Sequence, residues 1–209
     1  MKTERLTLKD IIQVTVGVLI SGSPDIEVSG LSIDSRTLVP GELFLALAGE
    51  RFDGHSYIEK AFQKGAVGIV VAQSGWSPGP EFSNRAVIHV HDTRQALGDI
   101  THLHRCRFTG PVVAVTGSNG KATTKDMLAH ILSAKLKTVK ARDSYNDFVG
   151  VPLTLLKTDE DTQAIVLEME ANTPGGILHL CDVAWPAVGV VTNIGDTHLA
   201  GCSCRKETL

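Results

Sequence analysis

No disulfide framework can be drawn through this sequence. Its 209 residues hold only four cysteines, Cys106, Cys181, Cys202 and Cys204, and no CxxC pair. That pattern suits a reducing, cytoplasmic setting. Cys202-x-Cys204 has no second pair near it and reads as ordinary thiols. An excess of one charge is lacking too: 20 Lys and Arg stand against 23 Asp and Glu, a net charge of −3. Nucleic acid and anionic membrane surfaces are therefore not indicated as partners. Nor is there a long apolar run. Ile11–Ile20 follows Lys2, Arg5 and Lys9 as a leader would, but Glu4 and Asp10 break up the basic stretch, Gln13 interrupts the run, and no clean small-x-small cleavage site follows. The stretch is too short to span a bilayer, so no membrane insertion is expected. It reads as a first helix starting near Thr7. Internal repeats and low-complexity segments are missing as well.

What the sequence does have is a strand–glycine loop–lysine–helix junction. Val112–Val115 is an apolar run that reads as a buried strand. It leads into Gly117-Ser118-Asn119-Gly120, then Lys121, Ala122 and Thr123, then a helical segment to about Leu136. Such a loop turns backbone N–H groups toward phosphate oxygens, and the helix N-terminus adds partial positive charge. The lysine adds a mobile full charge. The junction predicts an ATP site. Two features set it apart from the usual phosphate loop. Only Ser118 and Asn119 separate the two glycines, and Ala122 stands where a hydroxyl residue normally ligates Mg2+.

Around this junction the chain alternates strands and helices. In the first half, strands are expected at 31–33, 43–47, 67–71 and 87–90, with helices at 57–64 and 93–104. In the second half, strands are expected at 112–116, 137–140, 164–168 and 187–193, with helices at 123–135, 150–156 and 175–183. Apolar strands alternating with helices predict an α/β fold with a parallel sheet covered on both faces. A domain boundary is expected near Phe108, giving domains 1–108 and 109–209. Ligands of such sheets lie beyond the carboxyl ends of the strands. There the sequence places Glu168, a candidate Mg2+ ligand. Glu170 lies on the same face by alternation, so the choice between the two stays open. His198, in the glycine-bearing loop after the strand at 187–193, is a candidate ligand for a second Mg2+ or a phosphate contact. In the first half, Asp34-Ser35-Arg36 follows a strand and suits an anionic ligand, since Arg binds phosphate or carboxylate bidentately. Arg51-Phe52-Asp53-Gly54-His55 forms a second polar loop. By spacing alone, each of these two segments serves equally well as an ordinary turn.

Taken together, these residues resemble the Mur ligases, the ATP-dependent amide ligases that build the stem peptide of peptidoglycan. Thr116–Lys121 looks like their shortened phosphate loop. Ser32–Arg36, Pro40–Phe44 and Gly49–His55 resemble their N-terminal UDP-sugar domain. Tyr145–Leu156 and Asn193-Ile194-Gly195-x-x-His198-Leu199 look most like the branch that joins D-alanyl-D-alanine to UDP-N-acetylmuramoyl-tripeptide. The sister ligase that adds the third stem residue shares many of these motifs. The resemblance implies a small N-terminal α/β UDP-sugar-binding domain, an incomplete P-loop parallel-sheet ATP-binding domain, and a C-terminal ligase domain that is not within these residues. It implies ATP and Mg2+ as cofactors. Gly117, Ser118, Asn119, Gly120, Lys121, Ala122 and Thr123 would wrap the phosphates. Lys121, Glu168 and His198 would be catalytic, the last two at the metal. Asp34, Ser35, Arg36, Asp53 and His55 would line the uridine-nucleotide pocket, with Asn146 on the substrate side of the central domain. It also implies a carbamylated lysine in a helix beyond His198, and Lys206 comes too soon for that helix. On these terms the chain alone is a ligase sequence in part, or a remnant that binds nucleotide or UDP-sugar without turnover. An unrelated P-loop phosphotransferase is the further alternative.

Overall fold

The computed structural model describes residues 6–49, 53–72, 76, 79–142, 145–170 and 173–195. The chain divides into two compact units, 1–100 and 101–209.

The first unit opens with β1 (Leu6–Thr7) and α1 (Leu8–Thr15). A capping box starts α1: Thr7 accepts from the Asp10 amide, and Asp10 accepts from the Thr7 amide at 2.8 Å. Leu8 and Ile11 are fully buried. The helix stops at Val16, which takes the left-handed conformation (φ 51°), and the chain turns into β2 (Val18–Ser21). The run Ile11–Ile20 is therefore a helix and a strand rather than one helix. β3 (Glu27–Val28) pairs with β1. β4 (Leu31–Ser32), β5 (Leu43–Leu45), α2 (Ile58–Gln63), β6 (Gly68–Ala72), β7 (Ala86–Val90) and α3 (Thr93–Arg107) follow. The sheet runs β2-β7-β6-β5-β4. β4 to β7 are parallel, and β2 closes one edge antiparallel to β7. Leu38, Phe44, Ile58, Phe62, Ile69 and Val87 form its core. The division between the units falls within α3, which runs on to Arg107.

The second unit contains β8 (Val112–Thr116), α4 (Lys121–Ser133), β9 (Thr138–Lys140), α5 (Gly150–Leu155), β10 (Ala164–Glu168), α6 (Gly176–Ala184) and β11 (Val188–Val191). All four strands are parallel, in the order β11-β8-β10-β9. β10 is buried along its whole length, as a strand covered on both faces must be. Alternation sends Val115 and Val166 to the face packed by Ala129 of α4. Ala114, Ile165 and Leu167 go to the opposite face, against Val151 and Leu155 of α5 and Leu180 and Val183 of α6. The helix leaving β8 and the helix leaving β10 thus lie on opposite faces. The crevice between the carboxyl ends of these neighbouring strands is the switch point where α/β sheets bind ligands.

Candidate functional site

At that crevice the β8 strand ends in the glycine loop. Gly117 has φ 130° and Gly120 has φ 80°, both in the region that disfavours side chains. A Cβ on Gly117 would lie 2.2 Å from Thr192 Oγ1, so the β11 end presses directly on the loop. Three hydrogen bonds join the two. The Ser118 amide donates to Asn193 O (3.1 Å), the Asn119 amide to Asn193 Oδ1 (2.9 Å), and Thr192 Oγ1 to Asn119 O (2.6 Å). The Gly195 amide returns a fourth to Ser118 Oγ (2.8 Å). Two amides expected to face phosphate are thus occupied by Asn193. The donors directed outward are those of the first turn of α4, where Gly120 is the N-cap and no side chain caps the helix. Ala122 and Thr123 in that turn are exposed.

Lys121 folds back over the loop. Its ammonium donates to Gly117 O (2.8 Å) and lies 3.7 Å from Glu170 Oε2, with the side chain 11% exposed. Glu168, at the end of β10, is 5% exposed. Its Oε1 accepts from Asn146 Nδ2 (3.0 Å), and the same amide nitrogen donates to Glu170 Oε2 (2.8 Å). Glu170's own amide donates to Asn146 O (2.8 Å). Asn146 thus bridges the two carboxylates instead of reaching outward. Glu168 Oε2 is buried and accepts no hydrogen bond. Its cationic neighbour is the Lys125 ammonium at 3.6 Å. Lys125, in turn, lies 3.8 Å from Asp126, which Lys140 holds at 2.7 Å. The Lys140 hydrogen bond draws the Asp126 carboxyl below its ordinary pKa range.

In the first unit, Asp34-Ser35-Arg36 follows β4 and Asp53–His55 follows the neighbouring β5. Both segments therefore lie beyond carboxyl ends of adjacent parallel strands. Arg36 grips Asp34 with Nε (3.0 and 3.1 Å) and a terminal nitrogen (2.8 Å), and its side chain is 79% exposed. This pair draws the Asp34 pKa down and the Arg36 pKa up. Ser35 is buried. Asp53 accepts from the His55 amide (3.0 Å) and faces His55 Nδ1 at 2.5 Å, which lowers the Asp53 pKa. His55 Nε2 is buried without a partner. The loop closes tightly on the segment just after β5, since a Cβ at Gly54 would lie 2.8 Å from the Leu47 nitrogen.

His198, Asp196, Lys206, Cys202 and Cys204 lie outside the described residues, as do Arg51 and Phe52. Three participants carry no assignment from the sequence: Thr192 and Asn193, which brace the loop, and Lys125. The signal for the first two is their position directly after a strand parallel to β8. Among the described residues, no group of three or more His, Cys, Asp or Glu gathers to hold a metal. No helix among them is long and apolar enough to cross a membrane.

Both units have counterparts among known proteins. The family described as Mur ligase middle domain matches residues 115–207. The family described as Mur ligase family, catalytic domain, matches residues 27–105. The chain is 38% identical to UDP-N-acetylmuramoyl-tripeptide--D-alanyl-D-alanine ligase of Bacillus subtilis, over 96% of this chain and 43% of that protein. The crystal structure of MurF from Acinetobacter baumannii superposes with a TM-score of 0.85 at 33% identity, over 99% of this chain and 45% of that one. MurF ligase from Thermotoga maritima, solved in complex with ADP, gives a TM-score of 0.75 at 34% identity, over 86% and 40%. The chain thus spans less than half the length of these relatives. With both units matched and the glycine loop at the switch point, the chain belongs to the Mur ligase family.

Proposed function

We propose that this chain supplies the UDP-sugar unit and the ATP unit of a cytoplasmic ligase of peptidoglycan precursor synthesis. The ligase joins D-alanyl-D-alanine to UDP-N-acetylmuramoyl-tripeptide. The observation that carries the reading is Lys121 folded over a braced glycine loop, beside two carboxylates fixed by one amide. The first domain, to about Phe108, takes the uridine nucleotide through Asp34, Ser35, Arg36, Asp53 and His55. The second takes ATP through Gly117 to Thr123.

A carboxylate acylates poorly, so the γ-phosphoryl group of ATP is moved onto the tripeptide carboxylate to give an acyl phosphate. The amine of D-alanyl-D-alanine then attacks the acyl carbon and phosphate leaves. Lys121 neutralises the transferring group and releases its hold on Gly117 O to do so. The first turn of α4 receives the remaining phosphate charge. Mg2+, held by Glu168 with His198, would supply further charge neutralisation. The bare, buried Oε2 of Glu168 suits a cation, and Mg2+ needs only one or two protein carboxylates beside phosphate and water.

Two binding titrations on the chain test this. Mg·ATP and UDP-N-acetylmuramoyl-tripeptide should each bind, the second without magnesium. Failure of ATP to bind at millimolar concentration overturns the nucleotide site. In turnover by any polypeptide that carries the chain, ADP release should require both the tripeptide and D-alanyl-D-alanine. ADP release that needs only one of them overturns the reaction. Ala122→Thr should restore a hydroxyl in the first turn of α4 and tighten magnesium-dependent ATP binding by about three- to tenfold. An unchanged affinity across a magnesium titration would count against metal coordination at this turn.

A further inference from the structure

Lys125 is 2% exposed, and a buried lysine needs a reason. It is four residues beyond Lys121 in α4, so it returns to the same helix face and reaches the end of β10. Its ammonium stands 3.6 Å from Glu168 Oε2, the oxygen that accepts no hydrogen bond. The same ammonium stands 3.8 Å from Asp126, which Lys140 anchors. Lys125 therefore has two anionic neighbours, and one of them is the carboxylate assigned to the metal.

We propose that Lys125 is a positioning residue that acts as a resident counter-ion for Glu168 and makes metal binding conditional on nucleotide. The inference rests on Glu168 being a metal ligand. A divalent cation on Oε2 would sit close to the Lys125 charge, and the two repel strongly in a site with little water. Without nucleotide, Glu168 is already neutralised and offers little to a metal. When phosphates arrive, their negative charge tips the balance. The metal then takes Glu168, and the ammonium keeps Asp126 as its partner. The metal thus enters with the nucleotide instead of ahead of it.

Mn2+ binding, followed by electron paramagnetic resonance on the 209-residue chain with and without ADP, tests the idea. The wild-type chain should bind Mn2+ weakly alone and much more tightly with ADP. Lys125→Met should bind Mn2+ alone at least about tenfold more tightly than wild type, shrinking the effect of ADP. Lys125→Arg keeps the charge and should restore the wild-type dependence on ADP, which a merely structural role would not predict. Should Lys125→Met fail to fold, Lys125→Gln carries the same expectation, because its amide can hydrogen-bond the carboxylate. Nucleotide-free Mn2+ affinity equal to wild type in the neutral variant overturns the counter-ion role, as does an arginine variant that binds Mn2+ as the neutral one does. Glu168→Gln separates the two layers. If it binds Mn2+ with ADP as wild type does, Glu168 is not the metal ligand and the reading beneath falls. If it loses the metal while the neutral Lys125 variant behaves as wild type, only the present inference falls.

Discussion

Replacing Gly117 with alanine is expected to remove ATP binding and lower the melting temperature by about 12–24 °C. Two costs combine. At φ 130° a side chain is strained, at roughly 1–3 kcal/mol. The added Cβ also meets Thr192 Oγ1 at 2.2 Å and the Asn193 oxygen at 2.9 Å, an overpacking of roughly 1–3 kcal/mol. A combined loss of roughly 3 kcal/mol corresponds to that temperature range for a unit of about 100 residues. Relief would require Thr192 and Asn193 to move, and they hold the loop's backbone through Ser118 and Asn119. The phosphate site would therefore be lost with the clash. Gly120→Ala is the control. Its φ is also positive, at 80°, but a Cβ there meets nothing within 4 Å. Only the backbone cost of roughly 1–2 kcal/mol applies, and the melting temperature should fall about one to two thirds as far. Equal melting temperatures for the two variants in calorimetry would show that the contact with β11 is not what Gly117 relieves.

The contrast between these glycines marks what is local in the sequence and what is not. A Gly–Lys pair between an apolar run and a helical segment is local information, so β8, the loop and Lys121 are legible in the residues alone. β8 and β10 fall where expected, 112–116 and 164–168, because fully apolar runs bounded by turn residues leave little choice of boundary. The first helix ends sooner than its composition suggests, for the converse reason. Ile11–Ile20 is apolar enough to continue a helix; Gly17 is its one stop signal, and nothing announces that Val16 itself turns left-handed or that a strand starts at Val18. β1 and β3 are two residues each and exist only through each other, so no local pattern reveals them.

The site divides the same way. Glu168 and Glu170 are legible as strand-end carboxylates, but the rule that both face one way cannot choose between them. The structure supplies the missing piece in Asn146, which arrives from 22 residues before Glu168 and 24 before Glu170 and holds both. Asn193 closes on the loop only because β11 pairs with β8 in a register that sets Val191 beside Thr116. Register between distant strands is not written in either strand alone. Lys125 is hidden differently: a lysine on a helix normally reads as solvent-facing, and only the packing of α4 on β10 turns it inward.

Lys121→Met should weaken ATP and ADP binding by roughly 2–4 kcal/mol, about thirty- to a thousandfold, while leaving fold stability nearly unchanged. The Lys121 side chain is mostly shielded from water, at 11% exposure, so its charge would act on a phosphate at low effective dielectric. It donates to Gly117 O, a neutral acceptor that water can replace. Its neighbouring carboxylate, Glu170, keeps the Asn146 amide when the ammonium is gone. Little folding energy therefore rides on the lysine, and most of its worth appears only when phosphate binds. The methionine stem fills the same space, so the loop should keep its shape. Adenosine, which lacks phosphate, separates the causes: its affinity should be the same in both proteins, whereas ATP and ADP affinity should collapse in the variant. Calorimetric titration that finds ATP binding within about threefold of wild type would mean the ammonium does not reach the phosphates. The charge of α4's first turn would then have to carry the nucleotide alone.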